Sequence, residues 1–440
     1  MKILIFLLSI ILLSSTSIMS QPQNEPDSLL QNATLQSCIQ YALVHQPSIQ
    51  QSLLNEQITD QEIKSKLADW FPQLNLNFNF QHNYKLPTSI FQGKPVQLGV
   101  INTSSAQLAL TQTIFNRDVL LSSSTAHDVS EQAKQTTTDN KINLVVNVSK
   151  AYYGVLLAQE QINLVIEDIA RLQQSYNDAF YQYKSGTVDK TDYERASIAL
   201  NNSRAVEKQS EELLKTNYAI LKNLMGYPVK GELSLQYDTT KMESEALIDT
   251  TQSVSYENRI EYQLLQTQLR LQEANLRYYD WSFLPSLSAF GNYNFNFQND
   301  ALQKLYSQNY PSEYVGLQLS FPIFQGGKRI QEIDQAALEV KRAKFDIVSL
   351  KSLVNVEYTQ AMAGYKSNLS GYNAAKQNLV LAKDVYNTIE LQYKAGIKTY
   401  LDVITAESDL RTTEVNYFDA LYQLLSSKLD VEKALGTIKY

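Results

Sequence analysis

Two stretches of this 440-residue chain carry alternating three- and four-residue steps between apolar or tyrosine side chains. The first runs Leu144, Val148, Ala151, Val155, Ala158, Ile162, Val165, Ile169, Leu172, Tyr176, Ala179, Tyr183. The second runs Val354, Tyr358, Ala361, Tyr365, Asn368, Tyr372, Ala375, Leu379, Ala382, Tyr386, Ile389, Tyr393, and Asn368 alone breaks the apolar rule. Steps that average 3.5 residues make the seam of a coiled coil, in which each knob enters a hole on a neighbouring helix. Forty residues of helix span roughly 60 Å, about four times an ordinary globular helix. The chain is therefore committed to long rods, and to building them twice.

The two seams lie 210 positions apart, and other residues keep that offset. Tyr183, Gly186, Asp192, Ala196, Leu200 and Gly226 match Tyr393, Gly396, Asp402, Ala406, Leu410 and Gly436. Shared register over so long a stretch reads as a duplicated unit. The expected division is a signal peptide at 1–20, an N-terminal extension at 21–33, and repeats at 34–238 and 239–440. Each repeat carries a long helical hairpin, at about 118–226 and about 328–436. In the first hairpin Glu207 and Asn217 interrupt the seam of the returning helix.

A helix at about 34–69 precedes Trp70-Phe71-Pro72, and one at about 255–281 precedes Phe283-Leu284-Pro285. Proline lacks a backbone donor and pushes its predecessor into extended geometry, so both helices stop there. Strand patterns follow at about 73–81, 106–115, 286–297 and 314–324. Leu74, Leu76, Phe78 and Phe80 alternate with Asn75, Asn77 and Asn79, and the other three runs alternate similarly. Runs of about ten residues, apolar on one side and polar on the other, fit transmembrane barrel strands. One such strand alone equally fits a soluble sheet with a wet face. Four of them, behind a secretion signal and among long helices, favour the barrel. Pro322 falls inside the fourth run, where it removes one ladder bond near a barrel rim. Residues 82–105 and 298–313 read as exposed hairpin loops, and 227–254 as a polar, irregular joint between the repeats.

Residues 1–20 have the charged start, short apolar run and small polar end of a secretory signal. No later segment has the twenty apolar residues of a transmembrane helix, so a membrane crossing must use strands. Cys38 is the single cysteine, which excludes an intrachain disulfide. The net charge of −7 argues against a nucleic-acid partner, which needs a basic face. The low glycine count, 14, suits long helices, and 28 tyrosines suit surfaces that are half apolar and half wet.

Catalytic and metal constellations are missing. His45, His82 and His127 have no metal-ligand spacing to one another. Gly326-Gly327-Lys328 resembles the end of a phosphate loop, but Pro322 replaces its first glycine and Arg329 its hydroxyl residue. The glycine pair reads instead as the bend from strand to rod. No cofactor and no enzyme activity are expected. Charges gather at the rod tips, in Lys184, Asp189, Lys190, Asp192, Glu194 and Arg195, and in Lys394, Lys398 and Asp402. They are either solvated turn charges or a constriction worked by ion pairs between neighbouring tips.

Taken together, Leu35…Ala42-Leu43…Gln46-Pro47, Trp70-Phe71-Pro72-Gln73-Leu74, Leu284-Pro285-Ser286-Leu287 and Phe321-Pro322-Ile323-Phe324-Gln325-Gly326-Gly327 resemble the TolC-like outer-membrane efflux proteins, or outer membrane factors. The paired tips Tyr183-Gly186-Asp192 and Tyr393-Gly396-Asp402 complete that resemblance, which covers nearly all of the mature chain. It implies a mixed α+β membrane protein: a homotrimeric 12-stranded transmembrane β-barrel, four strands per chain. This barrel continues into a long α-helical periplasmic barrel of coiled-coil hairpins. It also implies an outer membrane location in a Gram-negative-type envelope, with lipid, a periplasmic adaptor (membrane fusion) protein and an inner-membrane pump as partners.

By the same resemblance, Tyr393 and Lys398 form a gating latch towards Thr191 and Asp192. Asp402 and Thr405 line the pore constriction. Gly186 and Gly396 mark the adaptor docking tips. Thr405 stands where the family archetype has a second acid, and Lys398 stands for an arginine. These departures imply weaker cation block and a latch without a bidentate fork. The function so implied is the passive exit duct of a tripartite efflux or type I secretion system. The alternatives are a periplasmic structural coiled-coil rod without a pore, and a degradative envelope enzyme.

Overall fold

A computed structural model describes residues 30–236 and 239–440. The expected signal peptide at 1–20, and the extension up to residue 29, lie outside the described residues. Helix α1 (Leu35–His45) starts at Thr34, whose hydroxyl accepts the Ser37 amide at 3.2 Å. Helix α2 spans Pro47–Leu67. The sequence reading expected one helix over 34–69, but the chain breaks at Gln46, whose ψ of 121° is extended. Pro47 is the cause. It excludes the helical region for its predecessor, while its missing N–H suits the first position of a new helix.

Four strands form an antiparallel sheet in the order β1 (Gln73–His82), β4 (Asn102–Phe115), β5 (Ser286–Asn299), β6 (Ser312–Ser320). Leu76 lies opposite Leu108, and Leu108 opposite Tyr293. One step along, Asn77 faces Gln107, Gln107 faces Asn294, and Asn294 faces Ser312. Because side chains alternate between faces, one face is apolar and the other is a wall of amides and hydroxyls. The amides bond across strands: Gln107 donates to Asn292 at 3.1 Å and Asn294 to the Ser312 hydroxyl at 3.2 Å. Strands β1 and β6 each have one edge without a partner among the described residues.

Two expectations about the connections change. The last strand ends at Ser320, so Pro322 lies outside the sheet instead of inside an edge strand. Its carbonyl accepts from the Arg329 guanidinium, which also donates to Gln325 at 3.0 Å and lies over the Phe283 ring. Loop 82–105 holds a small hairpin, β2 (Thr88–Phe91) paired with β3 (Lys94–Gln97), turned by Gln92 and Gly93, both at positive φ.

From the sheet the chain enters α3 (Arg117–Lys184, 68 residues) and returns as α4 (Lys190–Met225). The second excursion is α7 (Lys328–Lys394, 67 residues) and α8 (Tyr400–Leu435), preceded by α6 (Ile260–Asp280). Each outgoing helix is roughly 100 Å long at 1.5 Å per residue. Among the described residues no helix is apolar and long enough to cross a membrane, which leaves a strand crossing open.

The core sits where the returning helices end. Val148, Val155, Leu156, Leu221, Met225, Tyr365, Leu421, Leu424 and Val431 are buried together. The polar break at Asn217 is satisfied there, because its amide donates to the Gly154 carbonyl at 3.1 Å. Asn368 likewise donates to the Gln423 carbonyl at 3.2 Å. The joint between the halves is less irregular than expected. It contains a short helix α5 (Thr239–Glu245), and Glu243 accepts from the hydroxyls of Tyr372 and Tyr417 and from Lys376.

Candidate functional site at the hairpin tips

Both hairpins reverse by the same hydrogen-bonded device. The Thr187 amide donates to the Gln182 carbonyl at 2.9 Å and the Gly186 amide to Tyr183 at 3.0 Å. In the second hairpin Ile397 donates to Gln392 at 2.9 Å and Gly396 to Tyr393 at 2.8 Å. This pair of bonds closes a helix on a left-handed residue, and both glycines have φ of 74°. A Cβ at either position would meet nothing within 4 Å, so glycine is required there by backbone conformation and not by crowding.

The helices that follow start differently. Helix α8 opens with a capping box. The Thr399 hydroxyl accepts the Asp402 amide at 3.3 Å, and the Asp402 carboxylate accepts the Thr399 amide at 2.9 Å. Helix α4 opens at Asp189 without a side-chain cap. The bonds from Thr399, and then the nearby Lys398, hold the Asp402 carboxyl below its ordinary range. Thr405 is exposed one turn on, and its hydroxyl donates to Leu401 at 2.8 Å.

Behind the tips lies a small aromatic core. Ala179, Ala196 and Tyr400 are buried, with Tyr176, Tyr193, Tyr393 and Ile404 packed on them. The hydroxyls of Tyr176 and Tyr193 meet at 3.2 Å, and the Tyr393 and Tyr400 rings lie 6.1 Å apart. Tyr400 joins the two hairpins, and burial raises its phenol.

The structure brings the expected site residues to one end of the molecule without joining them as a latch inside one chain. Lys398 Nζ lies 3.8 Å from Asp402 Oδ1, within its own turn. Neither Tyr393 nor Lys398 makes a hydrogen bond or ion pair with Thr191 or Asp192 among the described residues. Thr191 is exposed and Asp192 half-buried in the first turn of α4. No group of side chains suited to a metal occurs among the described residues.

A buried charge cluster that no motif in the sequence marks lies above the tips, two to three turns into α8 and about four turns before the end of α3. Asp168 and Glu407 are 2% and 3% exposed. Arg171 on α3 reaches Glu407 on α8 at 3.2 Å, and Arg411 on α8 reaches Asp168 on α3 at 3.2 Å. Arg171 also lies 3.6 Å from Asp168, and Ser203 on α4 donates to Asp168 at 2.7 Å. Burial, helped by the Asp168 carboxylate, pushes the Glu407 carboxyl up to about 7 against the pull of Arg171. Burial also raises Glu414, whose Oε2 is buried without a hydrogen-bond partner among the described residues.

Comparison with known proteins agrees with this architecture. The profile of the family described as "Outer membrane efflux protein" matches residues 38–227 and 256–437. The chain is 24% identical over 427 residues to "Outer membrane protein TolC" of Escherichia coli (strain K12), covering 93% of this chain and 84% of that one. It is 24% identical over 311 residues to "Alkaline protease secretion protein AprF" of Pseudomonas aeruginosa, covering 68% and 60% of the two chains. In structure it matches the Campylobacter jejuni CmeC outer membrane channel with a TM-score of 0.77 at 17% identity, over 92% of this chain and 85% of that one. It matches CusC with a TM-score of 0.75 at 19% identity, over 93% and 95% of the two chains. The profile matches well over half of the sequence, in two segments that each end on a helical hairpin: the chain belongs to the outer membrane efflux protein family.

Proposed function

We propose that this protein is the outer-membrane exit duct of a tripartite efflux or type I secretion system, passing small molecules or polypeptides from periplasm to exterior without catalysis. One observation carries the reading. A four-stranded sheet with an apolar face and, among the described residues, two unpaired edges sits at the end of helices roughly 100 Å long. Unpaired edges are not tolerated in lipid, and four strands are too few to close a barrel. Three copies supply twelve strands, remove every edge by closed symmetry, and turn the amide wall into an uncharged wet lumen. The rods then enclose a periplasmic tunnel. A rod left in water would instead expose Leu76 and Phe78, each 65% accessible in the single chain.

In this reading the chain is two tandem units, 34–238 and 239–440, a division supported by the two separate family matches. The tips form the periplasmic end. Gly186 and Gly396 mark the surface offered to an adaptor protein, which couples the duct to an inner-membrane pump. Asp402, with Thr405 beside it, rings the constriction three times, and such a ring favours cations. Tyr393, Lys398, Thr191 and Asp192 form a latch between neighbouring subunits. Reconstitution of detergent-extracted protein into planar bilayers tests the function. A duct gives discrete conductance steps that divalent cations reduce from the tip side, whereas a pore-free rod leaves the bilayer silent.

A further inference from the structure

Two ion pairs cross from the first hairpin to the second above the tips: Arg171 to Glu407 and Asp168 to Arg411, both at 3.2 Å. Resting on the duct reading, we propose that Asp168, Arg171, Glu407 and Arg411 form the lock holding the second hairpin closed against the first, and that this lock takes up one proton as it closes.

The pairs fit a lock because they are reciprocal and both acids are buried, each against a partly covered arginine. Each hairpin supplies one cation and one acid; with Glu407 protonated in the closed seam, Asp168 is the anion between the two guanidinium groups and the Glu407 carboxyl still accepts from Arg171. Breaking one partner alone leaves a buried charge uncompensated, which gives the contact two well-separated states. The tip offers less. Lys398 and Asp402 are a loose pair within one turn, 38–40% exposed at their side chains, and exposed pairs of this kind contribute little.

The proton belongs to Glu407. On α3 it faces Asp168 and Arg171; on α7, Tyr386 and Glu390; on its own helix, Tyr400 and, one turn on, Arg411, whose guanidinium is turned to Asp168. Helix α4 contributes the Ser203 hydroxyl, bound to Asp168. Two acids and one guanidinium thus surround a carboxyl that is already desolvated, and the packed seam holds it up at about 7. Once the hairpins part, the hydrated carboxyl returns to the ordinary glutamate range near 4.3. The sign follows. Between those values the closed seam binds one more proton than the open one, so acid favours closure. Each unit of pH in that window moves the closed-to-open ratio by up to about tenfold. Asp402 does not contribute, because its carboxyl is held below its ordinary range.

The full-length protein in planar bilayers, titrated from pH 8 to pH 5 on the tip side, tests this. The parent should close progressively below about pH 7. Glu407→Gln, which keeps the shape and cannot ionise, should remove that step. Asp168→Asn should raise the open fraction across the whole range, because both arginines lose an anion. Spin labels on Glu194 and Ile397, both exposed, read the separation of the tips independently of conductance. A pH step unchanged in Glu407→Gln, or one abolished only by Glu414→Gln, overturns the lock. Silent bilayers with tips that still close in acid would retain the lock and defeat the duct reading.

Discussion

Lys398 Nζ lies 3.8 Å from Asp402 Oδ1, so the cation assigned to the latch and the acid assigned to the constriction share one helical turn. Asp402 also completes the cap of α8 by accepting from the Thr399 amide and hydroxyl. Its two roles separate by substitution. Asp402→Asn keeps an acceptor for the cap and removes the charge. It should lift divalent-cation block of conductance while leaving thermal unfolding close to the parent. Asp402→Ala should lift block and also loosen the tip. Block that persists in both variants places the acid away from the pore.

Lys398→Ala removes the positive neighbour of Asp402. The proposed ring then becomes more negative, and block by divalent cations should appear at lower concentration. If Lys398 also bridges subunits, the resting conductance should rise in the same variant. A channel identical to the parent in both measurements removes Lys398 from the gate.

The apolar face of the sheet should tolerate charge according to depth. Leu108, mid-strand between Leu76 and Tyr293, should lose about 2–4 kcal/mol of assembly free energy on replacement by arginine. Leu319, in the last turn of pairing before Pro322, should lose less, because it lies nearer the rim. Gln107→Arg, on the amide face, should assemble normally. The yield of heat-modifiable protein in outer-membrane fractions measures all three, and equal yields for Leu108→Arg and Gln107→Arg would invert the assigned faces.

Glu243 ties the joint between the halves to the rods. Burial pushes its carboxyl up, but donation from Tyr417, Lys376 and Tyr372 outweighs this and leaves it below the ordinary glutamate range. A depressed value means that stability from this contact is present above that range and is lost as acid protonates the group. Glu243→Gln should cost about 1–3 kcal/mol in denaturant unfolding at neutral pH and weaken the acid dependence. An unchanged unfolding midpoint would make the contact dispensable.

The rods, the sheet and the tip glycines were legible because each follows from a period or a local rule. The 3,4 seam sets the helices, the two-residue alternation sets the faces, and left-handed geometry selects Gly186 and Gly396. The break at Gln46-Pro47 was equally local, but the apolar residues on both sides, Leu43 and Ile49, hid it. Pro322 continues an alternation of apolar residues that the ladder itself does not follow beyond Ser320. The Asp168–Glu407 cluster escaped notice because charges beside a seam resemble a solvated flank. The available signal was the spacing of Glu407, Arg411 and Glu414, in steps of four and three alongside Leu410 and Tyr417, opposite Asp168 and Arg171 in steps of three. The direction proposed for Asp402, towards a pore, depends on how separate copies assemble, which no pattern within one chain specifies.

Single-particle images of the protein extracted from outer membranes in detergent test the architecture most directly. The expected particle is a hollow cylinder with threefold symmetry, a short barrel at one end and a tapered end at the other. A monomer that stays dispersed in water without detergent contradicts it.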